Sequence, residues 1–221
     1  EAARAPVGPD GTWIMAAPRP GRFTAVLRLE NARWSITEEG SGKAFEWQAG
    51  AADLSAGGSV DLGDARPDPA SANGRIPLIH LQFSEAAGLF SRLGLDLGWW
   101  DKRLAVNYPG DSDFFSRWSF SVDLTRAEAW DVNLHELGHA VMAAGTRSRG
   151  GGGEHKIDEC YDRGLAWSEG FATFFAGAVR LRGDDPDAKF EFLVPRRAPI
   201  RIELVPEDVC RGDTNEWRVA S

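Results

Sequence analysis

Val132–Gly145 reads VNLHELGHAVMAAG, and the reading of this stretch decides the fold. Two histidines stand four residues apart, a glutamate adjoins the first, and small or apolar residues fill the rest. An α-helix turns once in 3.6 residues, so His135 and His139 project from one face. Two imidazoles so placed can both reach one metal ion. Glu136 lies beside them and cannot easily share their place as a ligand. It can instead hydrogen-bond to a metal-bound water and take its proton. Gly138 lets another element come close. The bland alternative is a surface helix with two solvated histidines.

Working outward, "TRAE" upstream pairs Thr125 with Glu128 in a capping-box pattern. It predicts a helix from Ala127 to Ala144 with Gly145 as its C-terminal cap. Gly145 to Gly164 is polar and glycine-rich. "LAWSEGFATFFAGAVRLRG" then predicts a second helix, with Arg180 and Arg182 near the end where cations suit the dipole. Upstream, "LIHLQFSEAAGLFSRLG" predicts another helix with Gly94 as its stop. "RLAVNY" and "SFSVDL" read as strands. In "RFTAVLRLE", Phe23, Ala25, Leu27 and Leu29 alternate with Thr24, Val26, Arg28 and Glu30, the period of a half-buried strand. "ARWSIT", "AFEWQAG" and "GGSVDLG" extend this into a small antiparallel β module. The predicted class is α+β: a β module over residues 1–66, a proline-rich linker at 67–75 and a larger domain over 76–221.

The HExxH pattern on a helix is the arrangement of zinc peptidases. Catalytic zinc normally takes three protein ligands and leaves a fourth position to water. The extended pattern with a third histidine is excluded, because positions 142 and 145 hold Met142 and Gly145. His155 lies in a glycine-rich loop without helical geometry. Asp158 and Asp162 lack the glycine-threonine context of aspartate-ligand sites. Glu169 is the best candidate. It lies 30 positions after His139 on the second predicted helix, with Ala172, Thr173 and Ala176 on its face. Such small side chains would let that helix pack tightly near Gly138. A carboxylate on an otherwise apolar helix is costly when buried alone, and a cation would offset that cost. The competing reading leaves Glu169 exposed or favoured by the helix dipole.

"HELGH" followed at this interval by "WSEGFATFFAG" resembles the gluzincins, zinc peptidases with a glutamate third ligand. The second segment is similar to the glutamate-bearing helix of bacterial collagenase-like enzymes. It also resembles secreted bacterial proteins that place a β module before a zincin-like domain. The resemblance spans Ile76 onward and is sharp in these two motifs. It implies one zinc ion per chain held by His135, His139 and Glu169, with Glu136 as the catalytic base of peptide-bond hydrolysis. Protein or peptide would be the substrate. His155 and Tyr161 are candidates to steady the oxyanion, each equally readable as an ordinary loop residue, and "SFSVDL" is a candidate edge strand for the substrate backbone. A secreted or periplasmic location follows, and with it a Cys160–Cys210 disulfide, these being the only two cysteines. "NEWRVAS" at the end reads as the first turn of another helix in such proteins, so the domain either ends early or continues beyond Ser221.

Composition bounds the alternatives. The 221 residues are 43% hydrophobic and 26% charged, with a formal charge of −8. An acidic chain argues against nucleic acid as the main partner. No apolar run approaches the ~20 residues of a membrane span. "EAARAPVGPDG" is not a signal peptide, though a cleaved one could have preceded it. The rival function is a zinc-containing but inactive binding module that recognises protein or carbohydrate through Trp13, Trp34 and Trp47. Asp111 and Asp113 in "PGDSDFF" are a weak calcium pattern, more simply a solvated turn. The substrate and the oligomeric state are not legible.

Overall fold

The computed structural model describes residues 3–8, 10–38, 40–71, 73–148, 153, 155, 160, 162–182, 184, 191–192, 200–201 and 219–220. The chain is α+β and divides into two compact units, residues 1–28 with 46–68, and residues 29–45 with 69–221. In the first unit, β1 (Gly21–Arg28) pairs antiparallel with β3 (Glu46–Leu54), with a bulge between Ala25 and Val26. Arg28 and Glu46 close one end of the ladder through a 2.9 Å ion pair. The expected strand at "GGSVDLG" is not formed; those residues run without strand pairing.

The middle strand of the expected antiparallel module lies elsewhere. β2 (Trp34–Thr37) belongs to the second unit and runs parallel to β4 (Leu104–Asn107). Period-two patterning predicts a strand but cannot choose its partner. All four β2 residues are buried, as suits a strand covered on both faces. The sheet order is β2-β4-β6-β5, with β6 (Ser121–Asp123) parallel to β4 and β5 (Phe114–Ser116) antiparallel to β6. "SFSVDL" is therefore an interior strand, and the expectation of an edge there is corrected: the edges are β2 and β5. Ile36, Leu104, Val106 and Val122 are fully buried in this sheet. Two further short strands, β7 (Glu191–Phe192) and β8 (Ile200–Arg201), pair antiparallel.

α1 (Ile76–Arg92) buries Ile76, Ile79, Gln82, Phe83 and Ala86, one stripe at helical spacing. It stops as predicted at Gly94, whose φ of +69° suits glycine. Gly94 N–H bonds Ser91 C=O and Leu95 N–H bonds Phe90 C=O, the paired bonds of a Schellman end. α2 (Trp130–Gly145) buries eleven of its residues between Asp131 and Met142 and is the central helix of its unit. It begins later than the capping-box pattern predicts. Thr125 instead gives both its N–H (2.7 Å) and its hydroxyl (2.9 Å) to the Asp113 carboxylate, which ties the start of β5 to the segment before α2. Gly145 is the last helical residue and not a left-handed cap. Its Cα backs onto the Trp99 ring, which an added Cβ would meet at 3.2 Å. α3 (Arg163–Arg180) begins at Asp162, whose carboxylate accepts from the N–H groups of Gly164 and Leu165. No helix among the described residues is long and apolar enough to cross a membrane.

Candidate metal centre

α2 and α3 approach at a point dictated by two small residues. A Cβ on Gly138 would stand 2.9 Å from Ala172 Cα and 3.2 Å from its carbonyl oxygen, so the backbones touch only because position 138 has no side chain. His139 adjoins Gly138, and His135 and Glu169 each lie about one turn N-terminal of the contact, so the close approach brings the donors together. His135 Nε2 lies 3.0 Å from Glu169 Oε2, His139 Nε2 lies 3.4 Å from the same oxygen, and the two Nε2 atoms are 3.2 Å apart. His135, Glu136 and Glu169 are buried, and His139 is half-buried.

A triangle of this size is informative. Donors about 2.0–2.2 Å from one tetrahedral ion stand roughly 3.3–3.6 Å from each other. The observed edges of 3.0, 3.2 and 3.4 Å come close to that spacing. Two imidazoles and a carboxylate are also a donor set that suits a divalent transition metal. The buried His135, His139 and Glu169 group could hold a metal ion.

α3 contributes more than Glu169. Thr173 Oγ1 lies 3.1 Å from His135 Nδ1, and Ser168 Oγ lies 3.3 Å from His139 Nδ1. Each ring thus has its outer nitrogen engaged by a hydroxyl and its Nε2 turned inward, the division that orients metal-ligating histidines. Sequence reasoning treats Thr173 only as a small residue and passes over Ser168. The available signal is a hydroxyl at −1 and +4 from the glutamate, both within a helical turn of it.

The electrostatics are those of a closely coupled site. Burial alone would raise the Glu169 carboxyl, but hydrogen bonds from His135, His139 and His155 outweigh it and hold the group well below the ordinary carboxylate range. Glu136 goes the other way: burial pushes its carboxyl up, and the nearby His135 and His139 pull it back in part.

His155 Nε2 lies 3.1 Å from Glu169 Oε2, so this loop residue does reach the site. Asp162 is spent as the cap of α3. The Asp113 carboxylate is taken by Thr125, and its charge is felt by Glu136. Trp34 is buried and gives its indole N–H to His80 Nδ1 at 3.1 Å, so it offers no surface for carbohydrate or protein. Tyr161, Asp158 and Cys210 lie outside the described residues, and with Cys210 the expected disulfide. Comparison with protein families, with curated proteins and with solved structures finds no match to this chain.

Proposed function

We propose that this chain is a zinc-dependent peptidase of the gluzincin kind, hydrolysing peptide bonds in a protein or peptide substrate. The observation that carries the reading is the convergence of His135 Nε2, His139 Nε2 and Glu169 Oε2 at 3.0–3.4 Å with Glu136 buried beside them. One zinc ion would be held by those three atoms, where it would supply Lewis acidity to the scissile carbonyl and make a water more acidic. Glu136 follows His135 on α2 and is buried, and in this reading its carboxylate accepts a proton. It would take that proton from the attacking water and return it to the leaving amine as the C–N bond breaks. Thr173 and Ser168 would hold the two rings in register.

β5 supports the peptide reading. It pairs only with β6 in the described sheet and presents its other side as an edge. An extended substrate can add to such an edge through main-chain hydrogen bonds. The ties from Thr125 to Asp113 fix where that edge starts. The same reading includes secretion or a periplasmic location and the Cys160–Cys210 disulfide.

Glu136→Gln is the test, since it keeps the shape and removes the base. Zinc content and thermal stability should stay near those of the unmodified chain, while cleavage of a peptide that chain demonstrably cuts falls by about 10²–10⁴. A variant that keeps zinc and full activity would rule out the hydrolytic role. A chain that binds zinc yet cuts no peptide in any screen would favour the inactive binding module.

A further inference from the structure

We propose that Trp118 is a specificity-determining residue that meets a large apolar side chain of the substrate, several residues from the bond that is cut; this rests on the peptidase reading above. Trp118 is 98% exposed and lies in the turn of residues 117–120 that joins β5 to β6. A lone apolar side chain on a surface is ordinary. Two features set this one apart: the turn that carries it and the strand it follows.

The turn is fixed at its other positions. Phe120 has a φ of +54°, a left-handed conformation that a bulky residue rarely adopts. It is kept there by burial, by an edge-to-face contact with Phe115 at 5.9 Å and by Lys102 Nζ 5.3 Å from its ring centre. Ser119 Oγ stands 2.7 Å from the hydroxyl oxygens of both Ser116 and Ser121. Arg117 donates to the Ser148 carbonyl at 3.1 Å, which ties the turn to the segment after α2. Backbone strain persists where surrounding contacts over-determine it, and ligand clamps are among such places. Trp118, the largest side chain of the turn, is held on this rigid base and faces solvent. A tryptophan so presented contributes contact area at little entropic cost and is enriched among interface anchors.

The course of β5 says what Trp118 would meet. The bonds from Thr125 to Asp113 fix the start of β5 beside the segment before α2, and the bond from Arg117 to Ser148 fixes its end beside the segment after α2. β5 therefore runs along α2, and it is an edge of its sheet, open to an added strand of substrate. His139 stands six residues before the end of α2 at Gly145. At about 1.5 Å per helical residue, the turn lies on the order of 10–15 Å beyond the donors. An extended peptide covers that in roughly three to four residues at about 3.3 Å each. Arg117 and Lys102 place positive charge at this turn. That disfavours a lysine or arginine of the substrate and leaves an aliphatic or aromatic side chain as the partner of the indole.

The experiment digests peptides of diverse sequence with the zinc-loaded full chain and aligns the products around each cut by mass spectrometry. One position about three to four residues from the cut should be enriched in large apolar residues. Trp118→Ala should lose that enrichment, keep the preferences next to the cut and melt at the temperature of the unmodified chain. For two peptides that differ as leucine against glycine at that position, kcat/KM should differ about tenfold in the unmodified chain, through KM. The pair should be cut alike by Trp118→Ala, and Trp118→Phe should keep most of the difference. An unchanged cleavage profile in Trp118→Ala, an enrichment in lysine or arginine, or an equal loss on both peptides of the pair overturns the proposal and leaves the peptidase reading standing. Failure of the unmodified chain to cut any peptide overturns the peptidase reading and this subsite with it.

Discussion

Helix α2 has two buried polar interfaces, built on opposite terms. Toward α1, Asn133 Nδ2 donates to Gln82 Oε1 at 2.8 Å and to the Ala127 carbonyl at 3.1 Å, while Gln82 Nε2 donates to the same carbonyl at 2.9 Å. Donors meet acceptors, and Asn133 Oδ1 alone is left over. Toward α3, the groups that meet are all titratable: two imidazole nitrogens and a carboxylate oxygen, crowded within 3.0–3.4 Å. The first set, that one oxygen apart, finds its partners within the protein and holds two helices in register. The second calls for protons or a cation from outside. Burial of polar groups is common to both, so burial alone does not mark a site. Convergence of metal-ligating groups is what sets the second apart.

The largest effect should come from breaking the α3 side. Glu169→Ala removes the oxygen on which the rings converge and leaves two histidines from one helix. Zinc affinity should fall by a factor on the order of 10² or more, read by chelator competition. A ligand at 100 times its Kd stabilises a fold by about 2.7 kcal/mol, so zinc should raise the melting temperature of the unmodified chain but not of this variant. An equal zinc-induced shift in both would show that Glu169 is not a donor.

Gly138→Ala tests how the two faces depend on backbone approach. The new methyl would meet Ala172 Cα at 2.9 Å, and backbone cannot step aside as a side chain can. We expect a loss of roughly 2–3 kcal/mol in denaturant unfolding, with weaker metal binding because Glu169 moves with α3. Gly145→Ala is the control within the same helix. Its methyl meets the Trp99 ring at 3.2 Å, and a ring that can shift a few tenths of an ångström should make that substitution cheaper. Equal costs would mean that the α2–α3 contact is no tighter than the packing at the helix end.

Breaking the α1 side should cost stability and nothing else. Asn133→Ala strips the Nδ2 donations and leaves Gln82 Oε1 buried without that partner, a loss of about 1–3 kcal/mol. Metal affinity, measured well below the melting temperature, should not change. A variant that lost metal at full fold would join the two interfaces that this comparison holds apart.

The legible and illegible parts of the chain divide along physical lines. His135 and His139 on one helix face, Gly138 as a point of approach and Glu169 on a small-residue helix are all set by helical periodicity, which a local pattern carries. The start of α2 is not. Thr125 matches a capping box with Glu128, but Asp113, twelve residues upstream, takes both of its donors. A local rule cannot weigh that competitor. β2 reads as a strand, yet its parallel partner β4 lies some seventy residues away, and non-local pairing has no local signature. β5, three residues long, is hidden inside what reads as an acidic turn. The contact of His155 with Glu169 likewise needs the fold, since a glycine-rich stretch has no period to project.

The smallest effect belongs to a histidine that stands apart from the metal centre. His80, on α1, accepts the indole N–H of Trp34 at Nδ1, so its ring is neutral with its proton on Nε2. The rings pack edge to face at 5.6 Å. Burial pushes the His80 pKa below its ordinary value. The unfolded chain, with a histidine pKa near ~6.5, therefore binds this proton more readily than the folded one. Stability from this group is fully present above about pH 6.5 and is lost as pH falls toward the lower folded value. One group can contribute at most about 1.4 kcal/mol per pH unit within that window. His80→Asn keeps an oxygen acceptor for the indole and removes the titration. Urea unfolding of both proteins with saturating chelator should show the variant losing less stability than the unmodified chain as pH falls below about 6.5, with the two curves parallel above it. If the two curves stay parallel on both sides of pH 6.5, His80 folds with an unperturbed ring, and the Trp34 contact does not hold it neutral.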